Sequence, residues 1–146
     1  MKATELGLQW TLRLRLILMH AHNLQESRDI WMDTENTFGI NHMIASAADV
    51  PTGEAPVFVV ETMRGYNAFF KDKDPREDGT KFIDPKTKHS FRAGFAVKDA
   101  VYRTNHAYDP KINKFRAKLP TENESTIRRY MVLKDSVNFY DLGQIG

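Results

Sequence analysis

Cysteine is absent from the 146 residues. Its absence excludes a disulfide framework, a thiolate zinc site and a cysteine nucleophile within the chain. Long hydrophobic runs are missing as well. The most apolar stretch, Leu12 to Met19, is interrupted by Arg13 and Arg15 and followed by His20 and His22, so nothing approaches the roughly 20 apolar residues that a membrane-spanning helix needs. The chain reads as soluble, with no membrane span. A surplus of either charge is also lacking. The 21 basic and 19 acidic residues leave a net charge of +2, and the basic residues are scattered rather than gathered into the patch that nucleic-acid binding favours. No nucleic-acid partner is expected. The opening Met1-Lys2-Ala3-Thr4-Glu5 does not follow the charged, apolar, small-residue order of a secretory signal. Compartment is left open: lysosomal or secreted if a signal lies upstream, cytoplasmic otherwise.

What is present suits one domain, or one part of a larger domain, since 41% of the residues are hydrophobic and 11% aromatic. Between Thr11 and Leu24, the residues Leu12, Leu16, Met19 and Ile17, Ala21, Leu24 recur every three to four positions, which predicts a helix buried over a broad face. A second helix is expected from Gln25 to about Thr34, anchored by Ile30 and Trp31, with Gly39 as the stop. Ile40 to Ala47 and Pro56 to Met63 carry strand-forming residues on either side of Pro51-Thr52-Gly53-Glu54, which reads as a β-hairpin. Tyr66 to Phe70 adds a short strand. Lys71 to Lys88 is dominated by Asp, Lys, Pro and Gly and reads as a solvated loop. Ala100 to Thr104 suggests a further strand. Ser125 to about Val137 suggests a helix with Ile127, Met131 and Leu133 on one face, capped by Asn123 or Ser125.

Few residues stand out chemically. Thr104-Asn105-His106 follows the strand expected at Ala100 to Thr104, a suitable place for a side-chain amide to donate to a developing oxyanion; the plainer reading is that Asn105 opens a turn. Glu61, at a strand end, has no partner visible in sequence and reads as a sheet-end or salt-bridge residue rather than a general acid. Of the five histidines, His20 and His22 are two apart on an expected helix, which points their rings away from each other and argues against a shared metal. Neither a metal nor a cofactor is expected. Asn123-Glu124-Ser125 fits an N-glycosylation acceptor, meaningful only in a secreted or lysosomal protein.

Order and spacing carry more than any single residue. Leu12-Arg13-Leu14-Arg15-Leu16-Ile17-Leu18, Asn41-His42-Met43-Ile44-Ala45, Val59-Val60-Glu61-Thr62, Arg103-Thr104-Asn105-His106 and Ser125-x-x-Arg128 look like successive landmarks of the acyl-coenzyme A:6-aminopenicillanate acyltransferase-like family. The chain resembles that family over roughly residues 10 to 135. The resemblance implies an α+β chain forming part of an N-terminal-nucleophile αββα sandwich, a single incomplete domain over residues 1–146 with a loop insertion at about 71–98. It implies an amide hydrolase or acyltransferase working on linear N-acyl amides through an acyl-enzyme. Asn105 matches the family's oxyanion-stabilising asparagine, and Arg128 matches an arginine that braces the site or pairs with a carboxylate. The family's nucleophile is a cysteine upstream of the opening helix, so the resemblance implies a portion contributing the oxyanion side, inactive alone, whose partner is a nucleophile-bearing segment or subunit. A chain missing that half exposes sheet edges and helix faces, which would make a homo-oligomer understandable. The alternative is a non-catalytic binding or interaction protein on the same scaffold, with Asn105 only structural.

Overall fold

Asn23 divides the first apolar stretch into two helices. In the computed structural model, which describes residues 7–53, 55–78, 81–115 and 119–139, α1 runs Trp10–His20 and α2 runs Leu24–Asp33. The single helix expected to reach Leu24 therefore stops early. The reason is local: Asn23 is extended and its side-chain oxygen accepts from the Glu26 backbone N–H, while the Glu26 carboxylate accepts from the Asn23 side chain and the His22 backbone. This arrangement is close to a capping box, and it satisfies amides that a continuing helix would have used. α2 ends at Asp33, well before Gly39, where Thr34 turns extended and its hydroxyl donates to the Ile30 carbonyl.

The chain then forms an antiparallel sheet, β1 (Asn41–Ala45), β2 (Val57–Met63) and β3 (Tyr66–Phe70), with β2 in the centre. The hairpin expected across Pro51 is present as a pairing, with Met43 opposite Val59. Its connection is a 3-10 helix, Ala47–Thr52, closed by Gly53 at φ 75° rather than a bare turn. Strand alternation sends side chains to two faces. Phe58, Val60, Ile44 and Phe69 pack with Ile17, Leu24 and Trp31 under α1 and α2. Val59, Ala68 and Phe70 pack on the other face with Ala107, Tyr108, Ile112 and Tyr130. The second face is covered by the segment 101–109, by α3 (Pro110–Lys114) and by α4 (Ser125–Phe139).

Several sequence expectations need correction. Lys71 to Lys88 is not simply solvated: it contains β4 (Lys81–Ile83), which pairs with β5 (Ser90–Arg92) through Phe82 opposite Phe91, and it buries Glu77 and Asp84. Asp84 organises this hairpin by accepting from the Lys86 and Thr87 amides and, across the fold, from Glu122 N. One aromatic pair and one Asx turn suffice, which composition alone does not reveal. Ala100 to Thr104 pairs with no strand and is held by side chains instead. Helix α4 begins at Ser125 behind Glu124, whose carboxylate accepts from Thr121 N and whose carbonyl accepts from Ile127 N and Arg128 N, so Glu124 holds the cap position expected of Asn123 or Ser125. Its buried face is Thr126, Ile127 and Tyr130, with Leu133 40% exposed.

On α1 the buried residues are Arg13 and Ile17, whereas Leu12, Leu18 and Met19 face solvent. Arg13 stacks its guanidinium 4.5 Å from the Trp31 ring and donates to the Thr34 carbonyl. Burial lowers its pKa to about 10. His42, on β1, lies 4.9 Å from Trp31, and its Nε2 has no hydrogen-bond partner. Burial first, and then the charge of Arg13, push its pKa down from 6.5 to about 4. Between these values the unfolded chain takes up a proton that the folded chain refuses, so stability rises with pH across the window and is lost as pH falls from about 6.5 toward 4. Urea midpoints over that range should fall more steeply for the natural chain than for His42→Leu. Parallel profiles would mean that His42 titrates alike in both states.

Candidate functional site

The segment 103–109 is the part of the molecule on which distant stretches converge. The Asn41 side chain, from β1, donates to the Thr104 carbonyl at 2.8 Å and to the His106 carbonyl at 2.9 Å. Thr126, on the first turn of α4, accepts from Asn105 N at 2.8 Å, and its backbone carbonyl accepts from the Thr104 hydroxyl. His106 is fully buried, with Nδ1 within 2.9 Å of the Thr104 hydroxyl and 3.1 Å of that of Thr126, and Nε2 within 3.2 Å of Ala93 O. Its ring meets Tyr108 and Tyr130 edge-on. These contacts do for the segment what a strand ladder would otherwise do: they satisfy its buried backbone groups.

Glu61 supplies the remaining anchor. Its carboxylate is fully buried and accepts from Arg103 Nε at 2.9 Å, from Tyr108 N at 2.8 Å and from Asp109 N at 2.9 Å. Arg103 in turn donates to Glu77, from the connection between β3 and β4, and its guanidinium lies 4.7 Å from the Phe70 ring and 4.2 Å from the Tyr108 ring. Burial raises the pKa of Glu61, against the opposing pull of Arg103 and the backbone amides, and likewise raises that of Glu77 against Arg103. Burial disfavours the charge on Arg103, but the two carboxylates outweigh it and hold the guanidinium charged. Of the two readings of Glu61, sheet-end or salt-bridge residue, the salt bridge is the one the structure shows. Glu61 is one carboxylate of a buried Glu–Arg–Glu group centred on Arg103, a partner invisible in sequence because it is 42 residues away.

Asn105 sits at the exposed turn of this braced segment. Its Oδ1 accepts from Arg129 at 2.7 Å, which turns the amide NH2 end away from that arginine. Beside it lies an open hollow of about 780 Å³, with Asn105, Arg129 and Thr62 on its polar side and Phe38, Ile40, Met43 and Ile112 on its apolar side. Arg128 does not share this hollow. It points into a smaller one of about 310 Å³, with Phe91, Ile127 and Met131. Helical geometry explains the separation, since adjacent positions on a helix are about 100° apart. The arginine beside Asn105 is Arg129, and neither spacing nor motif had singled it out. Among the described residues no group of three or more His, Asp or Glu side chains gathers as a metal site would need.

These contacts make the segment rigid and set one side-chain amide and one guanidinium at the edge of a partly apolar hollow. The arrangement can hold a carbonyl oxygen and an anionic group side by side. Comparison of the chain with family models, with curated proteins and with solved structures finds no match.

Proposed function

We propose that this chain is the oxyanion-side portion of an N-terminal-nucleophile amide hydrolase or acyltransferase acting on linear N-acyl amides. The observation that supports the reading is convergence. Three stretches that resemble family landmarks, around Asn41, Glu61 and Ser125, are far apart in sequence yet meet on a fourth, the segment 103–109 that carries Asn105. An accidental set of matches gives no reason for such a meeting. In this reading the helical layer α1–α2, the sheet β1–β3 and the opposite layer carrying β4–β5 and α4 are the remains of an αββα sandwich whose second sheet is incomplete.

The chain has no cysteine, so the nucleophile comes from a companion segment or subunit. Its thiolate attacks the amide carbon, the carbonyl electron pair moves onto oxygen, and Asn105 donates to that oxygen. The amine leaves with the proton that the thiol gave up, and water or a second amine then takes the acyl group from sulfur, returning its own proton to the thiol. Asn105 has the type and position such a donor needs, on a rigid support at a solvent-reached edge. Arg128 has at most a bracing part here, from the neighbouring hollow.

The test is to incubate the product of the complete reading frame with a panel of N-acyl amides and to look by mass spectrometry for an acyl group on the protein. An acyl-enzyme and amine release are expected, with no turnover by the 146-residue chain alone. Absence of an acyl adduct on any residue, together with no amine release, would sink the reading.

A further inference from the structure

We propose that the hollow beside Asn105 is a binding site for N-acyl amino acids, with the acyl chain on its apolar side and the free carboxylate on Arg129. The assignment of the amide to Asn105 rests on the reading above; the assignment of the two ends rests on the hollow itself.

Three features define those ends. The first is charge. Arg129 is exposed, and its hydrogen bonds go to two uncharged oxygens, Asn105 Oδ1 and the Ser125 carbonyl. Arg103, the other arginine of the lining, is already neutralised by Glu61 and Glu77. Among the described residues Arg129 is the one cation of the hollow without a carboxylate partner, while the Glu124 carboxylate is engaged by Thr121 N, so an anionic group is taken at Arg129. A guanidinium is suited to a carboxylate, which it can grip with two parallel bonds.

The second feature is the apolar wall. Phe38 is 47% exposed and Met43 54% exposed, beside Ile40 and the buried Ile112. Large side chains left in water here gain roughly 25 cal/mol for each Å² of apolar surface that a ligand covers. A purely polar anion would leave this wall wet, whereas an alkyl chain would cover it. The third feature is distance. Arg129 Nη2 lies 2.7 Å from Asn105 Oδ1, so groups held by the two side chains are near neighbours in one ligand. An amide carbonyl and a carboxylate separated only by the amide nitrogen and one carbon, as in an acylated α-amino acid, suit two groups that lie side by side. The volume of about 780 Å³ lies within the range of small-molecule sites.

The experiment is calorimetric titration of the 146-residue chain with N-decanoylglycine, decanoylglycinamide and N-acetylglycine, repeated for Arg129→Ala and for Arg15→Ala on the exposed side of α1. N-decanoylglycine is expected to bind. Loss of its carboxylate, loss of its chain, or Arg129→Ala should each weaken binding by about tenfold or more, the effect of removing one charge-assisted contact or most of the apolar contact. Arg15→Ala should leave it unchanged. Equal affinity for the glycine and glycinamide compounds, or no effect of Arg129→Ala, would overturn the proposal, as would no binding of N-decanoylglycine at all. Binding does not depend on the nucleophile, so the two readings fail separately. Binding without an acyl-enzyme sinks only the catalytic reading. Turnover of carboxylate-free amides without binding of N-decanoylglycine sinks only this one.

Discussion

Arg103→Met is expected to lower folding stability by about 3–5 kcal/mol at neutral pH, as breaking a buried ion pair by removing one partner does. The side chains of Arg103 and Glu61 are 3% and 0% exposed and that of Glu77 7%, so water cannot replace the missing guanidinium. Two carboxylates would then share one buried region with no cation. Total stabilities of ordinary domains are about 5–15 kcal/mol, so a loss of this size consumes much of the margin. The pH dependence gives the cause its signature. Both carboxylates have folded pKa values above their ordinary 4.5, and removing the cation raises them further. A raised folded pKa means that the folded state binds the proton more readily, so its benefit is complete below 4.5 and fades as pH climbs through the raised value. The deficit of Arg103→Met should therefore shrink as pH is lowered toward 4.5. Urea unfolding of both chains from pH 4.5 to 8 measures it, and a deficit under about 1 kcal/mol at pH 7 would place Arg103 among weak surface pairs.

The three members of this group are not equivalent. Exchanging Arg103 and Glu77 together for apolar residues removes a cation and an anion but leaves the buried Glu61 carboxylate with only the Tyr108 and Asp109 amides, so it is not the near-neutral replacement of a whole ion group. Removing Glu61 also strands the amides of Tyr108 and Asp109, each of which then costs about 1–3 kcal/mol if no other acceptor is found.

In the complete enzyme that we propose, Asn105→Ala should reduce kcat by about 10²–10³-fold, the loss of one oxyanion donor. KM should change little, because the interaction strengthens only when charge develops on oxygen. Arg129→Ala should show the opposite pattern, raising KM for substrates with a free carboxylate while leaving kcat nearly intact. The 2.7 Å contact between the two side chains makes the comparison necessary. If Asn105 only orients Arg129, the two variants will share one kinetic pattern and the double variant will be no worse than either. An unchanged kcat in Asn105→Ala would remove Asn105 from the chemistry and favour the alternative of a non-catalytic binding protein.

The sequence determined the order of the main elements. Strand-forming residue types placed β2 and β3, and apolar anchors and spacing placed α2 and α4, to within a few residues. It determined less about α1, where the expected broad face took in Leu12 and Met19, which are exposed, together with Ile17, which is buried. The structure buried Arg13 instead, over Trp31. The tertiary structure alone decided that a weakly apolar stretch forms β4, that residues 101–104 need no ladder, and that Arg129 rather than Arg128 stands beside Asn105. Only it gave Glu61 its partners. All of these outcomes except the β4 pairing depend on groups 20 or more residues apart meeting, and out of water an unpaired charge or amide is costly and a paired one is held fast. The absent cysteine was legible from the first line. What the fold added is the braced turn and the hollow that a nucleophile from elsewhere would face.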